Sequence, residues 1–169
     1  MSTAPTDAPR HRRVPTPLGD YLIAAEGESL TGVWRDGQAH FPGASRLGDP
    51  APGPDALLDA AAAQLREYLD GEREAFDLPT AARGTDFQQA VWRHLTTIPR
   101  GATTTYGAIA RALGTPRAAQ AVGAAVGANP LSIVVPCHRV LGSTGSLTGY
   151  AGGLDTKRAL LRLEGAALA

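Results

Sequence analysis

The sequence predicts an α/β (α+β) protein of two modules: a small β-sheet-plus-helix domain, then a mostly helical domain with a helix-turn-helix-like unit and the only cysteine. Three observations carry that prediction. Charge divides the chain, because residues 1–82 hold 7 arginines against 13 carboxylates (net −6), whereas residues 83–169 hold 9 basic against 3 acidic side chains (net +6). Strand-like text fills residues 19–34 and gives way to helical spacing from residue 55. Two short helical patterns, joined by a three-residue turn containing glycine, occupy residues 105–127.

Residues 1–16, with prolines at 5, 9 and 15 and the cluster Arg10-His11-Arg12-Arg13, read as a disordered tail. The first domain is then expected over 17–82. Asp20-Tyr21-Leu22-Ile23-Ala24-Ala25 and Leu30-Thr31-Gly32-Val33-Trp34 read as two strands around the turn Glu26-Gly27-Glu28-Ser29. Residues 42–54, rich in proline and glycine, read as a surface loop. A helix follows Pro54-Asp55, with Leu57, Ala61, Leu65, Tyr68 and Leu69 on one face, and stops at Asp70-Gly71. Residues 72–84 read as a linker.

The second domain, 83–169, opens on Thr85-Asp86-Phe87-Gln88, a capping-box pattern at a helix start. Phe87, Val91 and Leu95 form the stripe of that helix, and Pro99 ends it. A helix near 105–113 leads through Gly114-Thr115-Pro116 into a second from Arg117 to about Gly127. Spacing turns Ala119, Val122 and Val126 inward and leaves Arg117, Gln120, Ala121 and Ala124 outward. Small outward residues suit close approach to DNA in a basic half; they also suit a merely alanine-rich chain. The positive charges likewise suit an anionic partner or a solvated surface.

Composition bounds the function. With 43% hydrophobic and 19% charged residues the chain is an ordinary globular protein. No stretch approaches the ~20 apolar residues that span a bilayer, and Met1-Ser2-Thr3-Ala4-Pro5-Thr6-Asp7 has no apolar signal core. An intracellular, reducing, cytoplasmic location is expected, and no membrane partner. Cys137 lies in Pro136-Cys137-His138-Arg139-Val140, after the strand-like run Ile133-Val134-Val135. A lone thiol makes no internal disulfide and no thiolate metal cage, so it is either a small buried hydrophobe or a reactive sulfur. Polar residues crowding in after an apolar run suggest a loop or sheet edge that presents the sulfur to a ligand.

These residues resemble the O6-alkylguanine-DNA alkyltransferases, the methylated-DNA–protein-cysteine methyltransferases, over roughly residues 14–165. The matching blocks are Gly84-Thr85-Asp86-Phe87-Gln88 with Val91-Trp92, Ile98-Pro99-Arg100-Gly101, Thr105-Tyr106-Gly107, Ala121-Val122-Gly123, Asn129-Pro130, Pro136-Cys137-His138-Arg139-Val140, Gly149-Tyr150-Ala151-Gly152-Gly153 and Leu163-Glu164-Gly165. The resemblance implies a ribonuclease-H-like first domain and a winged helix-turn-helix-like second one. It implies direct-reversal repair, in which Cys137 irreversibly and stoichiometrically takes a methyl or larger alkyl group from O6-alkylguanine flipped out of duplex DNA. O4-alkylthymine is a second lesion class it allows. No cofactor is implied, and with no cysteine in the first module no structural zinc is expected.

In that reading His138 activates Cys137 through a water and is held by Glu164, Tyr106 stands beside the flipped nucleotide, and Asn129 forms a hinge. Glu164 at a helix end, where the dipole disfavours an anion, independently asks for a partner such as His138. Tyr150, Val140, Ala151 and Ser132 would line the guanine pocket, with glycines 149, 152 and 153 allowing close approach of a flat base or only loop flexibility. Gln120, Arg117, Ala121, Ala124, Gly123 and Thr105 would contact double-stranded DNA through the minor groove, where the helix-turn-helix default is the major groove. Gln120 stands where many relatives place an arginine that replaces the extruded base. Arg139 suits a phosphate contact or a buried ion pair. A monomer is expected, binding DNA singly or cooperatively. The competing readings are a DNA-binding regulator or lesion sensor without transfer, a cysteine–histidine hydrolase, and a redox thiol; the sensors lack a thiol at this position.

Overall fold

The computed structural model describes residues 8–39 and 41–167, in two compact units, Met1–Ala82 and Arg83–Ala169. The first unit is built on strands β1 (Arg10–Thr16), β2 (Gly19–Glu26) and β3 (Ser29–Arg35). A short helix α1 (Ala44–Leu47), a two-residue strand β4 (Asp49–Pro50) and helix α2 (Ala56–Leu69) follow. The sheet order is β3-β2-β1-β4, antiparallel except for the parallel β1–β4 pair. Both strands expected between residues 20 and 34 are present, joined at Gly27, whose φ of 57° suits the turn.

Three expectations for this unit are corrected. Residues 10–16 are not tail but β1, paired with β2 over its whole length. Val14 is buried, and the basic cluster has distant partners: Arg10 pairs with Asp55, Arg12 with Asp59, and Arg13 with Asp20 and Asp36. β4 reaches only Arg10 and His11, so Pro15 sits on a free edge where its missing N–H is tolerated. The rest of the expected tail, residues 1–7, lies outside the described residues. The loop at 42–54 contains α1 and β4, and His11 Nδ1 lies 3.2 and 3.1 Å from the Leu47 and Gly48 carbonyls. The expected linker belongs to the first unit through residue 82. Leu30 bridges Thr80, Gln64 and Asp77 exchange side-chain–backbone bonds, and the rings of Tyr68 and Phe76 stack at 4.9 Å.

Helix α2 is capped by Asp55, which accepts from Leu58 N at 3.1 Å. Its buried stripe is Leu58, Ala61, Ala62, Leu65 and Tyr68, one residue later at its start than the expected Leu57.

The second unit begins with α3 (Asp86–Leu95), and the expected capping box forms: Gln88 N donates to Thr85 Oγ1 at 3.1 Å and Thr85 N to Gln88 Oε1 at 3.0 Å. Gly84 is required before it, because a Cβ there would lie 2.5 Å from the Trp92 ring. Val91, Trp92 and Leu95 are buried while Phe87 is half-buried, and Trp92 Nε1 donates to Ala125 O at 2.8 Å, tying α3 to the later helix. Thr85→Ala should lower stability by about 1 kcal/mol, read from the urea midpoint; an unchanged midpoint would show that the box contributes nothing.

Strand β5 (Thr104–Thr105) leads into α4 (Tyr106–Ala112), and after the turn comes α5 (Ala119–Gly127). Val122, Ala125 and Val126 face the core, with Ala119 only half-buried. Strand β6 (Val140–Leu141) pairs in parallel with β5, and α6 (Leu154–Leu163) closes the unit. No helix among the described residues is long and apolar enough to cross a membrane.

Candidate functional site

The thiol segment departs from the expected strand. Asn129, just after α5, donates from Nδ2 to Val135 O at 2.9 Å and accepts at Oδ1 from Leu131 N at 3.0 Å, so one buried amide pins both ends of residues 131–135. Ser132 bridges Val135, and Ile133 is held at φ 71°, a left-handed conformation costly for a β-branched residue. The apolar run is therefore a tight buried turn. Its residues are apolar because they are buried, and strand pairing is replaced by the Asn129 amide.

Cys137–Arg139 forms a single 3-10 turn. With three residues per turn, successive side chains leave in three directions. Two of them converge on Glu164, the residue that caps α6. His138 Nε2 lies 2.7 Å from Glu164 Oε2, while Arg139 donates from Nε to Oε1 at 2.9 Å and from Nη2 to Oε2 at 3.0 Å. Arg139 Nη1 also donates to Ile98 O at 2.6 Å, and Arg100 Nη2 to Leu163 O at 3.2 Å beside it. The two readings left open for Arg139 resolve to the buried ion pair, and Glu164 is a buried anion.

His138 is wholly buried, and its Nδ1 has no partner among the described residues. Burial pushes the imidazole below its ordinary value; Glu164 pulls it up, and the Arg139 and Lys157 charges oppose that pull. The imidazole is thus a neutral group with one nitrogen fixed by a carboxylate and the other unsatisfied.

Cys137 is buried, with 5% of its surface exposed, which corrects the expectation of a thiol displayed on a loop or sheet edge. The 3-10 turn leaves the sulfur in the interior of the unit. Burial pushes the thiol up, and hydrogen bonding from Asn129, the charge of Lys157 and hydrogen bonding from Tyr150 pull it back. Tyr150 is half-buried, and Gly152 leaves room for its ring, since a Cβ there would come within 2.8 Å of it. Val140 and Ser132 are buried and Ala151 half-buried.

Other expected residues form a separate group on the two-helix unit. Tyr106, the first residue of α4, lies against Gly123, where a Cβ would be 3.8 Å from its ring. The hydroxyl oxygen of Thr105 caps α4 by accepting from Ala108 N at 3.1 Å. Arg117, Gln120, Ala121 and Ala124 are exposed on one face, and a cavity of about 480 Å³ is lined by Thr115, Pro116, Arg117 and Ala118.

One residue of the thiol site was missed. Lys157 is fully buried, and its Nζ donates to Thr148 O at 2.7 Å and Gly149 O at 3.4 Å. Burial pulls its ammonium down to about 8, against the opposing pull of Cys137. A signal was available: Lys157 is the only lysine among 16 basic residues.

Known proteins resemble this chain along both of its units. Residues 10–82 match the family model of the 6-O-methylguanine DNA methyltransferase ribonuclease-like domain, and residues 86–166 that of the 6-O-methylguanine DNA methyltransferase DNA binding domain. A methylated-DNA–protein-cysteine methyltransferase of Mycobacterium bovis is 47% identical over 154 residues, covering 91% of each chain. One from Methanosarcina acetivorans is 44% identical over 89% of this chain and 94% of its own. The crystal structure of Mycobacterium tuberculosis O6-methylguanine methyltransferase superposes with a TM-score of 0.83 at 46% identity over 93% of both chains. The same TM-score and identity hold over 92% of both chains for Mycobacterium tuberculosis OGT in complex with DNA. Matched through both of its units and sharing its fold, the chain belongs to the 6-O-methylguanine DNA methyltransferase family.

Proposed function

We propose that this protein repairs double-stranded DNA directly, by moving the alkyl group of O6-alkylguanine irreversibly onto Cys137. The observation that carries this reading is the buried 3-10 turn in which the only thiol is followed along the chain by an imidazole bonded to Glu164, its Nδ1 without a partner among the described residues. Support also comes from relatives named methylated-DNA–protein-cysteine methyltransferases and from the DNA complex of a relative of the same fold.

The chemistry balances without a cofactor. A sulfur lone pair attacks the alkyl carbon, the carbon–O6 bond breaks, and its electron pair stays on guanine. The thiol proton ends on the released guanine, so the protein gains one CH2 per methyl transferred. His138 is the base: Glu164 and Arg139 fix its ring, and a water at Nδ1 relays the proton from the sulfur. Thioether formation leaves no route back, so each molecule acts once.

Recognition uses the exposed face of α5. Its small residues Ala121 and Ala124, with Gly123 behind them, fit a minor groove, Arg117 and the Thr105 region lie along the backbone, and Gln120 enters the stack as the nucleotide leaves it. Tyr106 supports the rotating nucleotide. Tyr150, Val140, Ala151 and Ser132 form the base pocket, and Asn129 holds the hinge between α5 and the thiol turn. The two units act as a support domain and a DNA-binding domain. A free reactive thiol fits a reducing, cytoplasmic compartment.

Exposure to a duplex carrying one O6-methylguanine, followed by intact-mass measurement, tests the proposal: one added CH2 is expected, and an unchanged mass with lesion-bearing DNA bound would sink it. Glutamine carries no charge and stacks less well than guanidinium, so Gln120→Arg should tighten DNA binding by about 3–10-fold. Fluorescence anisotropy reads the change; equal affinity and equal capture rate would show that this position does not limit flipping.

A further inference from the structure

The thiol turn is tied to helix α5 by hydrogen bonds that can be followed atom by atom. Nine residues separate Gly127, the last of α5, from Cys137. That is enough chain to put the sulfur anywhere within roughly 30 Å of the helix end. Hydrogen bonds remove this freedom. Val135 O accepts both Asn129 Nδ2 at 2.9 Å and Cys137 N at 2.8 Å, so the residue that leaves α5 and the residue that carries the sulfur share one carbonyl. Val135 N donates to Leu131 O at 2.8 Å, and Val134 N to Ser132 O at 2.8 Å around Ile133, a three-residue turn whose central φ of 71° is strained. Such strain persists only where the surroundings over-determine the backbone.

On the helix side the fixed point is Ala125, one turn before Asn129. The last carbonyls of a helix lack partners within it. Here Asn129 N turns to Val126 O at 3.2 Å, and Ala125 O is taken instead by the Trp92 indole Nε1 at 2.8 Å. Trp92 and Ala125 are both buried. The ring is also backed by Gly84, where a Cβ would lie 2.5 Å from it, so it has little room to slide away from α5.

We infer that Trp92 is a positioning residue for the transfer: its indole N–H fixes the end of α5 from which Asn129 suspends the thiol turn, and so sets the offset between the outward face of that helix and the sulfur. This rests on the proposed alkyl transfer and extends its machinery to a residue of α3. Without the indole donor, Ala125 O is a buried carbonyl with no partner, and the helix end is free to yield to the strain at Ile133.

Trp92→Phe keeps an aromatic ring and removes the N–H. Anisotropy on the O6-methylguanine duplex should show wild-type affinity, because the outward face of α5 is unchanged, whereas the single-turnover rate at saturating duplex should fall about tenfold. Thr85→Ala, which weakens the start of the same helix and leaves the indole bond in place, should transfer at the wild-type rate. An unchanged rate in Trp92→Phe overturns the inference, and so does an equal loss in both variants, which would trace to helix stability alone. Should Trp92→Phe not fold, hydrogen exchange in the wild-type protein decides. The Trp92 indole proton should share the protection of the Leu131 and Cys137 amides, as members of one opening unit, and indole exchange far faster than those amides overturns the inference. A wild-type protein that gains no mass on lesion DNA would sink the transfer, and the exchange measurement would still decide whether the helix end and the thiol turn are joined through the indole.

Discussion

Cys137→Ser should abolish the gain of mass on lesion-bearing DNA while leaving DNA binding intact. The effect is expected to be complete, because a serine hydroxyl has essentially no alkoxide at neutral pH and a neutral imidazole is too weak a base to generate one. The fold should tolerate the change. Serine is slightly smaller, and the Asn129 amide that holds the preceding turn is untouched. Stability should fall by no more than about 1–2 kcal/mol. Intact-mass measurement after exposure to an O6-methylguanine duplex, with anisotropy on the same duplex, reads both outcomes. A variant that still gains a CH2 would place the acceptor elsewhere, and Lys157 or His138 would be the next atoms to map.

The second large effect is expected at Glu164. In Glu164→Ala the Arg139 guanidinium stays buried without its carboxylate, and His138 loses the partner of its Nε2. Removing one member of a buried ion pair typically costs about 3–5 kcal/mol, a large fraction of a small domain's stability, readable in the urea midpoint of the second unit. Transfer should slow as well, since a freely rotating imidazole is a poorer base, by up to about 10²-fold where folding is retained. Glu164→Gln keeps shape and one acceptor and should lie between. Stability unchanged in Glu164→Ala would mean that Arg139 finds another anion and that the cluster is not the organiser of the turn.

Much of this protein is legible in its sequence because helix caps and stripes are short-range devices. Thr85 and Gln88 satisfy each other's amides within one turn, so the start of α3 can be read from four letters. The outward face of α5 follows from its period, and the glycine turns at 27 and 114 from their φ requirements. The paired strands β2 and β3 are legible for the same reason.

What was misread involves partners far along the chain. The arginines of β1 look like a solvated tail until Asp55 and Asp59, more than 40 residues away, are folded against them. The run before Cys137 looks like a strand because burial, not sheet pairing, makes it apolar, and the Asn129 amide that closes it leaves no periodic mark.

From its letters alone the chain declares two units of opposite charge, their principal helices, and one thiol in a family-defining setting. Only the tertiary structure decides that the thiol is buried, that Arg139 serves Glu164, and that the single lysine is buried against two backbone carbonyls. The reason is physical: periodicity and capping act within a few residues, whereas the charge state of a buried group is set by which distant side chains packing brings within hydrogen-bond reach.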